Sequence, residues 1–169
     1  MVLTAIWFVP ETLAPERRHG GGLRRSLAGV GEVLRVRPFV GYTLVQSFAS
    51  FTMLAYIANA AYVLQEMKGM APIPYSFFFA STALAQVLLS LLNARLIGRF
   101  RPHTLIAVGL SSTTVGVLAL ILGVLFWDTP LVLTCVGFLV IMASMAFIYG
   151  NAGALGAMQV THVAGAAAA

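Results

Sequence analysis

Four apolar stretches, at about residues 39–64, 75–94, 103–126 and 130–150, contain no Asp, Glu, Lys or Arg at all. Each is long enough to cross the roughly 30 Å hydrocarbon core of a bilayer, which takes about 20 helical residues. Inside hydrocarbon no water is available to satisfy the backbone, so such stretches are helical and pack as a bundle. The pattern therefore predicts an all-α, polytopic membrane protein in contact with the lipid bilayer. A water-exposed globule is excluded on composition. Hydrophobic residues make up 60% and charged residues 9% of the chain, against about 25% charged in soluble domains.

The charges between the spans give the threading. Of the ten basic residues, nine are arginines in two short stretches: Arg17, Arg18, Arg24, Arg25, Arg35 and Arg37, then Arg95, Arg99 and Arg101. Segment 10–38 has a net charge of +3 and segment 95–102 also has +3, whereas the intervening breaks carry only Glu66 with Lys68, and Asp128. Basic loops alternating with neutral or acidic ones predict that both arginine-bearing loops are cytoplasmic. The link at 151–163 should lie on the same side, yet it carries only His162.

Two partial spans flank the four. Residues 1–9 read as the end of a transmembrane helix leaving the bilayer at Pro10, and 164–169 as the start of another. Complete spans with a half-span at each end read as a piece of a longer chain. Within 10–38, Gly20–Gly22 form a break, after which Leu23, Leu27, Val30 and Leu34 recur at helical spacing. That segment is expected to be an amphipathic helix lying along the membrane surface, serving to anchor and connect.

Polar side chains inside the spans must face other helices or a wet path. They stand at helical spacings: Thr52, Tyr56 and Asn59 in the first span; Thr82, Gln86, Ser90 and Asn93 in the second; Ser144 and Asn151 in the fourth. Two readings stay open for these stripes, a substrate path and hydrogen bonding between helices. The third span differs, because Gly109, Gly116 and Gly123 recur every seven residues and point to close backbone packing. Gly150, Gly153 and Gly156 suggest close packing or a bend near the inner surface.

Several functions are disfavoured by what the sequence lacks. It has no phosphate-cradling Gly-Lys-Ser/Thr loop and no metal-ligand cluster, and no ionisable residue of a proton relay lies inside a span. An enzyme is not expected, nor a metal or organic cofactor. The arginines lack interleaved aromatic residues, so the net charge of +5 is not read as a nucleic-acid footprint. Cys135, the single cysteine, sits in an apolar run and reads as a small buried hydrophobe.

A family likeness rests on particular residues. Pro10-Glu11-Thr12-Leu13, following a span and preceding a basic loop, resembles the exit of the sixth helix in major facilitator transporters. Tyr56 through Gln65 resembles the seventh helix of the Bcr/CflA drug-resistance subfamily, which ends in a similar aromatic-Val-Leu-Gln stretch. Asn93-Ala94-Arg95-Leu96 with Arg99-Phe100 is similar to the short loop between its helices eight and nine. Gly150-Asn151-Ala152 resembles its tenth-helix end, and Ala164-Gly165 its eleventh-helix start. The eight–nine loop departs from the general facilitator signature in lacking an acidic residue, and Gly150 stands where proline would precede the asparagine.

The resemblance implies the C-terminal-half portion of a major facilitator fold, from the end of helix six to the start of helix eleven. The intact protein would sit in a bacterial inner membrane. It would export small amphipathic compounds of the bicyclomycin or chloramphenicol type in exchange for protons, by rocking two helical halves about a midplane site. The proton-carrying acid would lie in the N-terminal helix bundle, the partner this segment needs. On that likeness Tyr56, Asn59, Gln86 and Ser90 become substrate-binding candidates, and Asn93, Arg95, Arg99 and Arg101 candidates for the cytoplasmic gate and for topology. The alternatives are a sugar or metabolite facilitator of the same superfamily, and a non-transporting four-span structural protein.

Overall fold

The computed structural model describes residues 30–160. The expected half-spans at 1–9 and 164–169, the Gly20–Gly22 break, Leu23, Leu27 and His162 lie outside the described residues. Among those described there is no strand. The described residues form an all-α membrane bundle of four long helices: α1 (Arg37–Ala61), α2 (Pro72–Leu96), α3 (Pro102–Phe126) and α4 (Leu131–Met158). A single π-helical turn, Tyr62–Met67, prolongs α1. The shortest of these helices has 25 residues, a rise of about 37 Å, enough to span the hydrocarbon.

Proline sets where the helices start. Pro38, Pro72 and Pro102 occupy first-turn positions of α1, α2 and α3, where the missing N–H costs nothing and the fixed φ is already helical. Pro130 stands at the N-cap of α4. The stops are equally local. Gly69 adopts a left-handed φ of 69° after the π turn, which glycine does without a Cβ penalty. Asp128 and Thr129 also have positive φ, 49° and 39°, and non-glycine residues persist there only when their surroundings hold them. Two bonds do so: the Thr129 N–H donates to the Gly123 carbonyl at 3.0 Å, and Lys68 Nζ donates to the Asp128 carbonyl at 2.8 Å. The second bond ties the α1–α2 turn to the α3–α4 turn.

α4 is the hub. α1, α2 and α3 each pack against it more than against one another. Its central run Ile141–Ile148 is buried at every position, while α2 buries only Thr82 and Asn93. Large apolar side chains such as Phe48, Phe51, Phe77, Val115 and Val124 point outward from the bundle, as helices surrounded by lipid or further apolar segments do.

Glycine governs the α3–α4 seam. A Cβ on Gly109 would lie 2.8 Å from Ile148 Cγ1 and 3.1 Å from the Ser144 carbonyl oxygen. One on Gly116 would lie 2.9 Å from Ile141 Cγ1, and one on Gly123 2.7 Å from Leu133 Cδ2. The seven-residue repeat thus keeps one face of α3 flat where α4 presses against it.

One helix boundary differs from the sequence reading. α4 continues through Asn151 to Met158, residues that had been assigned to the link at 151–163. There it runs beside α1: a Cβ on Gly153 would lie 3.4 Å from Gln46 Oε1 and one on Gly156 3.6 Å from Tyr42 Cβ, ordinary contact distances. Residues 30–35 are helical, but the side chain buried there is Val33. Val30 and Leu34, from the expected apolar stripe, are exposed, as the lipid-facing side of a surface helix would be.

Candidate functional site

Because neighbouring helices alternate in direction, Arg37, Arg95, Arg101 and Met158 all lie near one end of the bundle. Polar side chains on the packed faces are concentrated between this end and mid-bundle. On α1 the face toward α4 carries Tyr42, Gln46, Ala49, Met53, Tyr56 and Ala60, at spacings of three and four. This is not the Thr52–Tyr56–Asn59 stripe expected from the sequence: only Tyr56 of those three is buried. The Thr52 hydroxyl donates to its own helix at the Phe48 carbonyl. Asn59 is exposed and donates Nδ2 to the Ala55 carbonyl at 2.8 Å.

Tyr56 closes the junction of α1, α2 and α4. Its ring stacks on Phe79, with centroids 5.9 Å apart, and meets Phe138 edge-on at 5.3 Å. The hydroxyl lies 3.2 Å from Thr82 Oγ1. Thr82 has a single proton and gives it to the Phe79 carbonyl at 2.7 Å, so Tyr56 is the donor in this pair. The Tyr56 side chain is therefore part of a helix junction, with its polar end satisfied inside the protein.

Asn93 and Asn151 form the most enclosed polar contact. Asn151 Nδ2 donates to Asn93 Oδ1 and to the Phe147 carbonyl, both at 2.8 Å, and the residues are only 4% and 2% exposed. Asn93, named both in the α2 stripe and among the gate candidates, lies in the α2–α4 seam. Arg95, Arg99 and Arg101 are exposed around the α2–α3 turn. On the other seams, Thr113 and Ser144 hydroxyls meet at 2.8 Å between α3 and α4. Tyr42 hydrogen-bonds His103 between α1 and α3. The Tyr149 hydroxyl lies 3.5 Å from Ser50 Oγ and 3.7 Å from Met53 Sδ, between α4 and α1.

The α2 stripe thus divides. Thr82 and Asn93, at its ends, are buried and hydrogen-bonded to other helices. Gln86 is half-buried and Ser90 exposed, and neither side chain makes a hydrogen bond among the described residues. Gln46, half-buried on the α1 face, has an equally unengaged amide. The sequence reading passed over Gln46, although Tyr42, Gln46 and Ser50 recur at every fourth position. An amide taken from water without a partner costs several kcal/mol, so at bilayer depth Gln46 and Gln86 need water, another chain segment or a bound molecule.

Along its entire 169 residues the chain is 24% identical to an uncharacterised MFS-type transporter, YdgK, of Bacillus subtilis (strain 168). It spans 42% of that protein's length. No family model and no solved structure gives a significant match. The similarity over the whole chain is a likeness to a segment of an MFS-type transporter. Together with four membrane-length apolar helices, it supports a multi-pass membrane protein.

Proposed function

We propose that the intact protein is a proton-coupled major facilitator exporter of small amphipathic compounds, working by alternating access, with α1–α4 as its helices seven to ten. The carrying observation is the pair of half-buried, unengaged amides, Gln46 and Gln86, in a bundle whose buried side-chain polar atoms, among the described residues, are all hydrogen-bonded. In this reading Gln46, Gln86 and Ser90 face the substrate path, where they exchange hydrogen bonds with water for hydrogen bonds with cargo. Tyr56 and Thr82 hold the path's wall in place, and Asn59 lies outside it. The arginine-bearing end faces the cytoplasm, following the distribution of positive charge, and Arg95, Arg99 and Arg101 lie at the inner mouth. The proton is carried by an acidic residue of the N-terminal bundle.

The test is transport by the full-length gene product in an efflux-deficient bacterium, read as resistance to amphipathic antibiotics and as energy-dependent dye extrusion. Gln86→Ala should reduce export while leaving the amount of folded protein in the membrane unchanged, because its amide supports no other helix. Export that survives Gln86→Ala together with Gln46→Ala would remove both residues from the path. Absence of any export, with uptake of a sugar or metabolite instead, would assign the protein to the facilitator alternative.

A further inference from the structure

One face of α2 is apolar, open and capped by positive charge. Leu84, Leu88 and Leu91 are exposed, and with Arg95 they recur at i, i+4, i+7 and i+11, a single stripe along the helix. Leu92, also exposed, widens this track. From Leu84 to Arg95 the helix rises about 16 Å, close to half of the roughly 30 Å hydrocarbon thickness, the depth of one leaflet.

The turn beyond Arg95 is fixed by its own backbone. The Arg99 and Phe100 N–H groups both donate to the Leu96 carbonyl at 2.9 Å, and the Thr104 N–H donates to the Arg101 carbonyl at 2.9 Å. Arg95, Arg99 and Arg101 therefore sit on a short closed arc at the end of the leucine track. None of the three pairs with a carboxylate among the described residues. Arg37 comes to the same end, because the Tyr42–His103 hydrogen bond ties the second turn of α1 to the first turn of α3. Glu32 is the described carboxylate nearest in sequence to this end, while Glu66 and Asp128 belong to the opposite turns.

From this juxtaposition we infer that the α2 face and the Arg95–Arg101 turn form a binding site for an anionic phospholipid. An acyl chain lies along Leu84, Leu88 and Leu91, and the headgroup phosphate is held by Arg95 and Arg99. The guanidinium fork matches phosphate geometry with two parallel hydrogen bonds. Arginines placed at the membrane surface also attract anionic lipid electrostatically. The inference needs the bundle to lie in a bilayer with this face of α2 toward lipid, and so stands apart from the transport reading.

The experiment is native mass spectrometry of the full-length protein, released from detergent micelles containing equal phosphatidylglycerol and phosphatidylcholine. The protein should retain phosphatidylglycerol preferentially. Arg95→Gln with Arg99→Gln should weaken that retention by about tenfold to thirtyfold and leave phosphatidylcholine unaffected. Arg95→Lys with Arg99→Lys keeps the charge, and hence the threading, and should fall between the two. A parent protein without preference between the lipids would overturn the inference. So would a Gln pair that elutes as folded protein and keeps the parent's preference. Displacement of phosphatidylglycerol by an added oligonucleotide would also overturn it, and would assign the arginines to nucleic acid.

Discussion

The sharpest expectation concerns Gly109→Ala. Its new methyl would sit 2.8 Å from Ile148 Cγ1, 3.1 Å from Phe147 Cβ and 3.1 Å from the Ser144 carbonyl oxygen. The first atom belongs to a β-branched side chain with 1% exposure, the second is a Cβ fixed by the helix, and the third is backbone. No single rotamer change relieves all three, so α3 and α4 must separate locally. Overpacking of this kind costs about 1–3 kcal/mol. Against it stands the gain of alanine over glycine in a helix, about 1 kcal/mol. The net expectation is destabilisation of up to about 2 kcal/mol, or a midpoint lowered by up to several degrees.

Two matched variants turn this into a test of sign. Gly41 lies in α1 with nothing within 4 Å of its Cβ position, so Gly41→Ala should be neutral or slightly stabilising. At Gly123 the nearest obstacle is Leu133 Cδ2, at 2.7 Å, the mobile end of a side chain, so Gly123→Ala should cost less than Gly109→Ala. Thermal unfolding can be followed with a thiol-reactive dye, since Cys135 is the single cysteine and is partly buried in α4. If Gly109→Ala melts with or above Gly41→Ala, the close-packed α3–α4 seam is not what holds this bundle together.

Two further outcomes follow from the polar seams. Asn151→Ala leaves Asn93 Oδ1 without its buried donor and should cost about 1–3 kcal/mol; a double-mutant cycle with Asn93→Ala should return a coupling near 1 kcal/mol, and a coupling of zero would remove the amide pair from the fold's energetics. Tyr56→Phe should cost under about 1 kcal/mol, because Thr82 keeps its bond to the Phe79 carbonyl. Tyr56→Ala should cost about 3–5 kcal/mol by emptying the aromatic junction, and near-equal melting of the two variants would contradict that division of labour.

Much of the architecture was legible because the bilayer imposes long, uncharged helices and leaves charge only at their ends. The spans and the end of the bundle where Arg37, Arg95 and Arg101 gather follow from local composition. The glycine repeat of α3 was legible for a similar reason: a flat helix face at seven-residue spacing has few uses besides close packing. The site was less so. Thr52, Tyr56 and Asn59 share a helical spacing, yet only Tyr56 meets another helix, since a hydroxyl or amide can bond back to its own helix carbonyl, as Thr52 and Asn59 do. Spacing shows which side chains share a face, and nothing in it tells whether that face meets a helix, lipid or water. The tertiary structure decided that α4 is the hub and runs on to Met158, and that Asn93 faces Asn151 across a seam. It also decided that Gln46 and Gln86 keep free amides among the described residues. These outcomes depend on which helix lies opposite, a relation between residues as distant in the chain as 93 and 151, which no local pattern carries.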